Sequence, residues 1–231
     1  MALRPPQVKV CGLTDPATAA SCGDLGVKAI GCVFYAKSPR FVSDALAREI
    51  CSALPPSIHR VGVFVDLSFS EIMHKAAFCG LTAAQLHGSE PPELVKRLKN
   101  EGILVIKALF AKKAPGLDDA EDYADGIFLV EQGKGALPGG NAAEWDWGGL
   151  KGFSRNHPLI LAGGLKPENV ADAIALGQPD AVDVSSGVES SPGVKDLASV
   201  EAFMTAVTGR PLTRRTARPI FSDGRDRTLP D

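Results

Sequence analysis

Residues 158–189 read PLILAGGLKPENVADAIALGQPDAVDVSSGVE. Two short apolar runs, 158–161 and 180–184, have the composition of buried strands. Between them, 167–176 carries a helical pattern opened by Pro167. Each strand runs into small residues, Gly163-Gly164 after the first and Ser185-Ser186-Gly187 after the second. Residues without a Cβ let backbone N–H groups come close to an anion. A short helix starting near Ser186 would add its positive end. The stretch therefore reads as strand, anion-binding turn, helix, strand, anion-binding turn.

The same alternation extends back to the N-terminus. Strand-like runs occupy 7–11, 29–34, 60–65, 82–86, 104–109 and 126–130. Helical patterns open at Asp15-Pro16 and near residues 43, 68 and 92, with a weak one over 118–123 and a last one over 197–207. Eight strand–helix units in about 200 residues predict a single-domain α/β fold, the (β/α)8 TIM barrel, over residues 1–209. An open doubly wound sheet would need a glycine-rich first turn. The first turn here is Cys11-Gly12-Leu13-Thr14-Asp15, and glycine pairs such as 139–140 and 163–164 come late.

Residues 210–231 break the pattern. They hold six Arg and three Asp among Pro, Thr and Ser, and are expected to form a flexible tail. The rest of the chain is mildly acidic, and the net charge of −2 over 231 residues argues against nucleic-acid binding. No apolar run reaches the roughly 20 residues of a membrane-spanning helix. The N-terminus lacks the features of a secretory signal, and the five cysteines form no Cys-x-x-Cys pair. A cytoplasmic protein with free thiols is the expectation. The four histidines show no zinc-ligand spacing, so no metal is expected.

In a barrel of this kind the chemistry sits in the loops after the strands. Cys11 ends the first strand beside Gly12, where a thiolate can serve as base or nucleophile, although a free Cys is more often a packing residue. Cys22, Cys32, Cys51 and Cys79 lie within elements and read as packing. Glu131 follows the sixth strand, placed for general acid work if partly buried, whereas most Glu residues are solvated. Arg40, after the second strand, can grip a carboxylate through two hydrogen bonds. His87 ends the fourth strand and is either a substrate contact or a structural histidine. Lys9 shares a strand face with Cys11, either paired structurally or acting on the thiol. Asp66 reads as no more than a cap for the helix near Ser68. Trp145-Asp146-Trp147 reads as loop packing or a pocket wall. Gly163, Gly164, Ser185, Ser186 and Gly187 are the phosphate-binding candidates.

Together, Lys9-Val-Cys11-Gly12-Leu-Thr14, Ser38-Pro-Arg40-Phe-Val, Val61-Gly-Val-Phe-Val65, Gln85-Leu-His87-Gly88, Gly139-Gly140 with Trp145-Asp146-Trp147, Leu161-Ala-Gly-Gly-Leu165 and Asp183-Val-Ser-Ser-Gly-Val-Glu189 resemble the phosphoribosylanthranilate isomerase family of tryptophan biosynthesis. Pro192-Gly193 and Lys195-Asp196 continue the match, which spans residues 7 to 208. The resemblance implies a cofactor-free Amadori rearrangement of a phosphoribosyl-anthranilate aminoaldose to an aminoketose. It implies Cys11 as the base that removes the C2′ proton, and Arg40 on the anthranilate carboxylate. It also implies Asp183 near the ribose hydroxyls and a small phosphosugar as partner, in a monomer or homodimer. Two departures fall in one loop. The family's acid is usually Asp, and here Glu131 matches; its Gly-Gly-Thr/Ser-Gly reads Gly139-Gly140-Asn141-Ala142. Two other readings remain: a phosphate-binding barrel without turnover, and a sugar isomerase serving both histidine and tryptophan pathways.

Overall fold

In a computed structural model, residues 4–123, 126–133, 145–209 and 217–222 are described. Eight parallel strands close into a barrel in sequence order: β1 (Gln7–Cys11), β2 (Ala29–Val33), β3 (His59–Phe64), β4 (Ala83–Leu86), β5 (Leu104–Phe110), β6 (Ile127–Glu131), β7 (Leu159–Leu161) and β8 (Ala181–Val184). Closure comes from β1 pairing with β8, with Lys9 opposite Asp183. Apolar strands of this kind need cover on both faces, and the chain supplies it. Inward-facing residues such as Ala29, Val61, Ala83, Ile106, Leu129, Ile160 and Ala181 fill the barrel. Outward-facing ones, among them Val10, Ile30, Phe64, Leu86 and Phe128, pack under the helices.

The helices are α1 (Pro16–Asp24), α2 (Asp44–Ser52), α3 (Phe69–Cys79), α4 (Pro92–Asn100), α5 (Phe153–Asn156), α6 (Val170–Gly177) and α7 (Leu197–Thr208). Local chemistry sets their starts. Asp15 caps α1 by accepting from the Thr18 N–H at 2.6 Å, with Pro16 in the first turn. Ser68 and Glu71 cap α3 reciprocally. Asp66 is not that cap: it sits at φ 54° and accepts from the Ser89 N–H at 2.7 Å. The weak helical stretch after β5 is a 3-10 helix, Leu117–Tyr123. The helix expected near Ser186 is a single 3-10 turn, Ser186–Val188. A hairpin not foreseen from the sequence, β9 (Glu189–Ser191) with β10 (Val194–Lys195), follows it. None of the described helices is long and apolar enough to cross a membrane.

The expectation of a flexible tail fails for residues 217–222. Ile220 and Phe221 are buried in the barrel's inner core, at the end where the strands begin. The Gln7 amide reads their backbone: its Oε1 accepts from the N–H groups of Ile220 and Phe221 at 2.8 Å, and its Nε2 donates to the Phe221 carbonyl at 2.9 Å. Asp180, just before β8, accepts from the Arg218 N–H at 2.8 Å. Two apolar residues close a mouth that polar side chains would leave wet, and Gln7 satisfies the backbone groups they bring with them.

Candidate active site

The candidate residues cluster at the opposite end of the barrel. Alternation along β1 turns Gln7, Lys9 and Cys11 inward together. Lys9 is fully buried and donates to Asp183 Oδ1 at 2.8 Å. Burial works against its charge, but Asp183 and the neighbouring Cys11 outweigh that and hold the amine above its usual range. Burial also pushes the Cys11 thiol up, and Lys9 offsets part of the rise. Lys9 is therefore both a structural partner of Asp183 and a charge beside the thiol. Gly31 on β2 makes room for both. A Cβ there would stand 2.8 Å from Cys11 Sγ and 3.2 Å from Lys9 Nζ. A glycine inside an apolar strand was the signal of this close approach.

Across the barrel, His87 and Glu131 are buried side by side, with Nε2 and Oε1 3.4 Å apart. Gln85 Nε2 lies 2.9 Å from His87 Nδ1. With the amide donating, that nitrogen accepts and the Nε2 proton faces Glu131. The histidine thus orients the carboxyl group while both line the same mouth.

Gly163 and Gly164 have φ of 84° and 70°, left-handed values that suit glycine. They bring the loop after β7 over Glu131: a Cβ on Gly163 would stand 3.2 Å from Glu131 Cβ. Asn169 braces that loop by donating to the Gly164 carbonyl at 2.9 Å. At Gly187 a side chain would collide with the Leu165 carbonyl, so the loops after β7 and β8 press together there. Ser185 Oγ donates to the Cys11 carbonyl at 3.0 Å, tying the second loop to β1. Trp145 donates from its indole to the Ala162 carbonyl at 3.2 Å, and Trp147 is buried, in keeping with loop packing. Cys22, Cys32, Cys51 and Cys79 are free and buried.

Arg40 reaches over β1 from the loop before α2. Its stem lies against Gly12, where a Cβ would meet Arg40 Cδ at 2.5 Å. Its guanidinium is already half engaged: Nε and Nη2 donate to the two oxygens of Glu189 at 2.8 and 2.6 Å. Lys195 pairs with the same carboxylate and donates to the Ser185 carbonyl at 3.1 Å. Glu189 and Lys195 have no role legible in the sequence, since nothing in a two-strand hairpin announces which loop it covers. Gly139, Gly140, Asn141 and Ala142 lie outside the described residues. No group of three or more His, Cys, Asp or Glu residues suited to a metal ion occurs among the described residues.

The barrel thus carries a buried thiol with a lysine beside it, a carboxyl group facing it across the mouth, and a glycine-lined cradle between. The chain as a whole is similar to known proteins. The family model described as N-(5'phosphoribosyl)anthranilate (PRA) isomerase matches residues 8–206. The N-(5'-phosphoribosyl)anthranilate isomerase of Desulfatibacillum aliphaticivorans is 54% identical over 202 residues, covering 87% of this chain and 93% of that one. The crystal structure of phosphoribosyl anthranilate isomerase from Thermotoga maritima superposes with a TM-score of 0.82 at 40% identity, over 88% of this chain and 99% of the other. A second such structure, solved with reduced 1-(o-carboxyphenylamino)-1-deoxyribulose 5-phosphate, gives a TM-score of 0.79 at 38% identity, with 88% and 99% covered. With its fold and nearly its whole barrel matched, this chain belongs to the N-(5'-phosphoribosyl)anthranilate isomerase family.

Proposed function

We propose that Cys11 and Glu131 carry the family's aldose–ketose rearrangement in this chain. The observation that supports this reading most directly is the pair of proton-transfer groups on opposite sides of one barrel mouth, each held by its own neighbour: Lys9 beside Cys11, His87 beside Glu131. Glu131 protonates the ribose ring oxygen, opening the sugar to a protonated Schiff base. Cys11 removes the C2′ proton, and the resulting enol tautomerises to the aminoketose. The reaction needs an acid and a base and consumes no electrons, so these side chains suffice without a cofactor.

Arg40 binds the anthranilate carboxylate, and Asp183, held by Lys9, faces the ribose. Gly163, Gly164, Ser185, Ser186 and Gly187 surround the phosphate with backbone N–H groups. The loop after β7 packs its Gly163 backbone on the Glu131 side chain. The protein works in the cytoplasm, as a monomer or homodimer, on a small phosphosugar.

Turnover of freshly generated phosphoribosylanthranilate by the purified protein, followed by loss of anthranilate-type fluorescence, tests the reading. Cys11→Ser and Glu131→Gln should each lower kcat by about 10²-fold or more, the range for removing one proton-transfer group. Near-full activity in either variant removes that residue from its role. Binding of a product analogue without any turnover would instead favour a phosphate-binding barrel that has lost catalysis.

A further inference from the structure

The Arg40 guanidinium has two edges that can each take a carboxylate. The edge formed by Nε and Nη2 is filled by Glu189, with both hydrogen bonds short. Nη1 makes no hydrogen bond among the described residues. The Glu189 side chain is only 4% exposed and has a second cation on it, the buried Lys195. Burial works against the Glu189 charge, but its hydrogen bonds to Arg40 and Lys195 prevail and keep the carboxyl below its usual range. Two cations around one anion leave a net positive charge at the mouth.

The contact also has a direction. Lys195 is tied to the Ser185 backbone, and Ser185 to the Cys11 carbonyl. The hairpin turn is tied down as well, since Thr14 Oγ1 donates to the Gly193 carbonyl at 2.6 Å. Glu189 is thus held from the β8 side as well as by Arg40. An Arg side chain has several rotatable bonds and loses much freedom when ordered. A carboxylate held rigidly on one edge orders the guanidinium plane in advance and aims the other edge at an incoming carboxylate.

We propose that Glu189 is a positioning residue for substrate recognition: it holds Arg40 by its inner edge so that the outer edge receives the substrate's ring carboxylate. This rests on the reading of Arg40 as the carboxylate site. Glu189 therefore contributes to selecting a carboxylated aromatic amine over an uncarboxylated one, without touching either.

The test compares two substrates, phosphoribosylanthranilate and its aniline counterpart lacking the ring carboxylate, in Glu189→Gln, Glu189→Asp, Arg40→Ala and the double variant Arg40→Ala with Glu189→Gln. In Glu189→Gln the KM for the carboxylated substrate should rise about tenfold, the equivalent of one well-made charged hydrogen bond, with kcat changed less than about threefold. The KM for the aniline substrate should stay put. Glu189→Asp should recover part of the loss. The double variant should be no worse than Arg40→Ala, because Glu189 acts through Arg40. Equal losses on both substrates, or additive losses in the double variant, would overturn the proposal and leave Glu189 as a hairpin anchor. A failure of the underlying reading looks different: Arg40→Ala would then leave the carboxylated substrate's KM unchanged. Melting curves confirm that each variant is folded before its KM is compared.

Discussion

At Gly31 one missing methyl group holds open the space that Cys11 and Lys9 share. Adding it should displace the thiol by a few tenths of an ångström or push Lys9 off Asp183. Proton transfer tolerates little misplacement. Gly31→Ala should therefore lower kcat by about tenfold to a hundredfold while the protein still binds a product analogue, as a fluorescence titration would read. The neighbouring charge gives a pH prediction. Cys11 must be a thiolate to act as base, and burial raises its pKa from the ordinary thiol value. A raised pKa moves the rising limb of kcat/KM to higher pH, so activity should still be climbing above about pH 8.5, the free-thiol value. Lys9 stabilises the thiolate, hence Lys9→Met should move that limb higher still. A limb unchanged in Lys9→Met would mean that the lysine serves Asp183 alone.

Among the elements, the loops after β3 and β4 hang on a single carboxylate. Glu90 is buried and accepts from the Asp66 N–H at 3.0 Å, from the Gly88 N–H at 2.9 Å and from Lys107 at 2.8 Å. Lys107 points out of the barrel from β5 and also donates to the Gly88 carbonyl at 2.7 Å. Burial depresses the Lys107 pKa and Glu90 partly restores it. Removing one partner of such a pair strands the other charge, at a cost of about 3–5 kcal/mol. Glu90→Ala should cost that much in denaturant unfolding, with the loss shrinking when Lys107→Met is added. Additive losses would show that the two groups are not coupled. The eight strands and most helices were legible because apolar periodicity and caps such as Asp15 and Ser68 are local signals. The Glu189–Lys195 hairpin was not, because two strands of three and two residues carry no periodicity and gain part of their place from partners far away in sequence, Arg40 and Thr14. For the same reason Lys107 and Glu90, one outward-facing and one in a loop, gave no sign of meeting. Cys11, Arg40, His87 and Glu131 could be singled out because the barrel architecture states where strand ends go.

Over the whole molecule, one end of the barrel is arranged for chemistry and the other for closure. Ile220 and Phe221 reach the inner core from a segment whose composition, Arg-rich and with few apolar residues, gave no hint of burial. This closure lies beyond residues 8–206, the part that the family model matches. Phe221→Asp should expel the strap and lower Tm by several degrees; about 2–4 °C per kcal/mol is typical for a chain of this size. The kcat/KM value should stay within about twofold, because the strap touches the mouth farthest from Cys11. A parallel loss of activity would show that the two ends communicate.

The Gln7–Phe221 contact joins positions 214 apart, so the chain is a ring, clasped at Gln7 by three hydrogen bonds and held beside them by Arg218 on Asp180 and on the Arg155 carbonyl. Mechanical load applied between residues 7 and 222 would meet that clasp first and the β1–β8 seam only afterwards. In a single-molecule pulling experiment the strap should peel at low force, releasing at most about 45 Å for the residues after Gly209. The barrel should then yield separately at higher force, giving the molecule a mechanical fuse on the side away from its substrate.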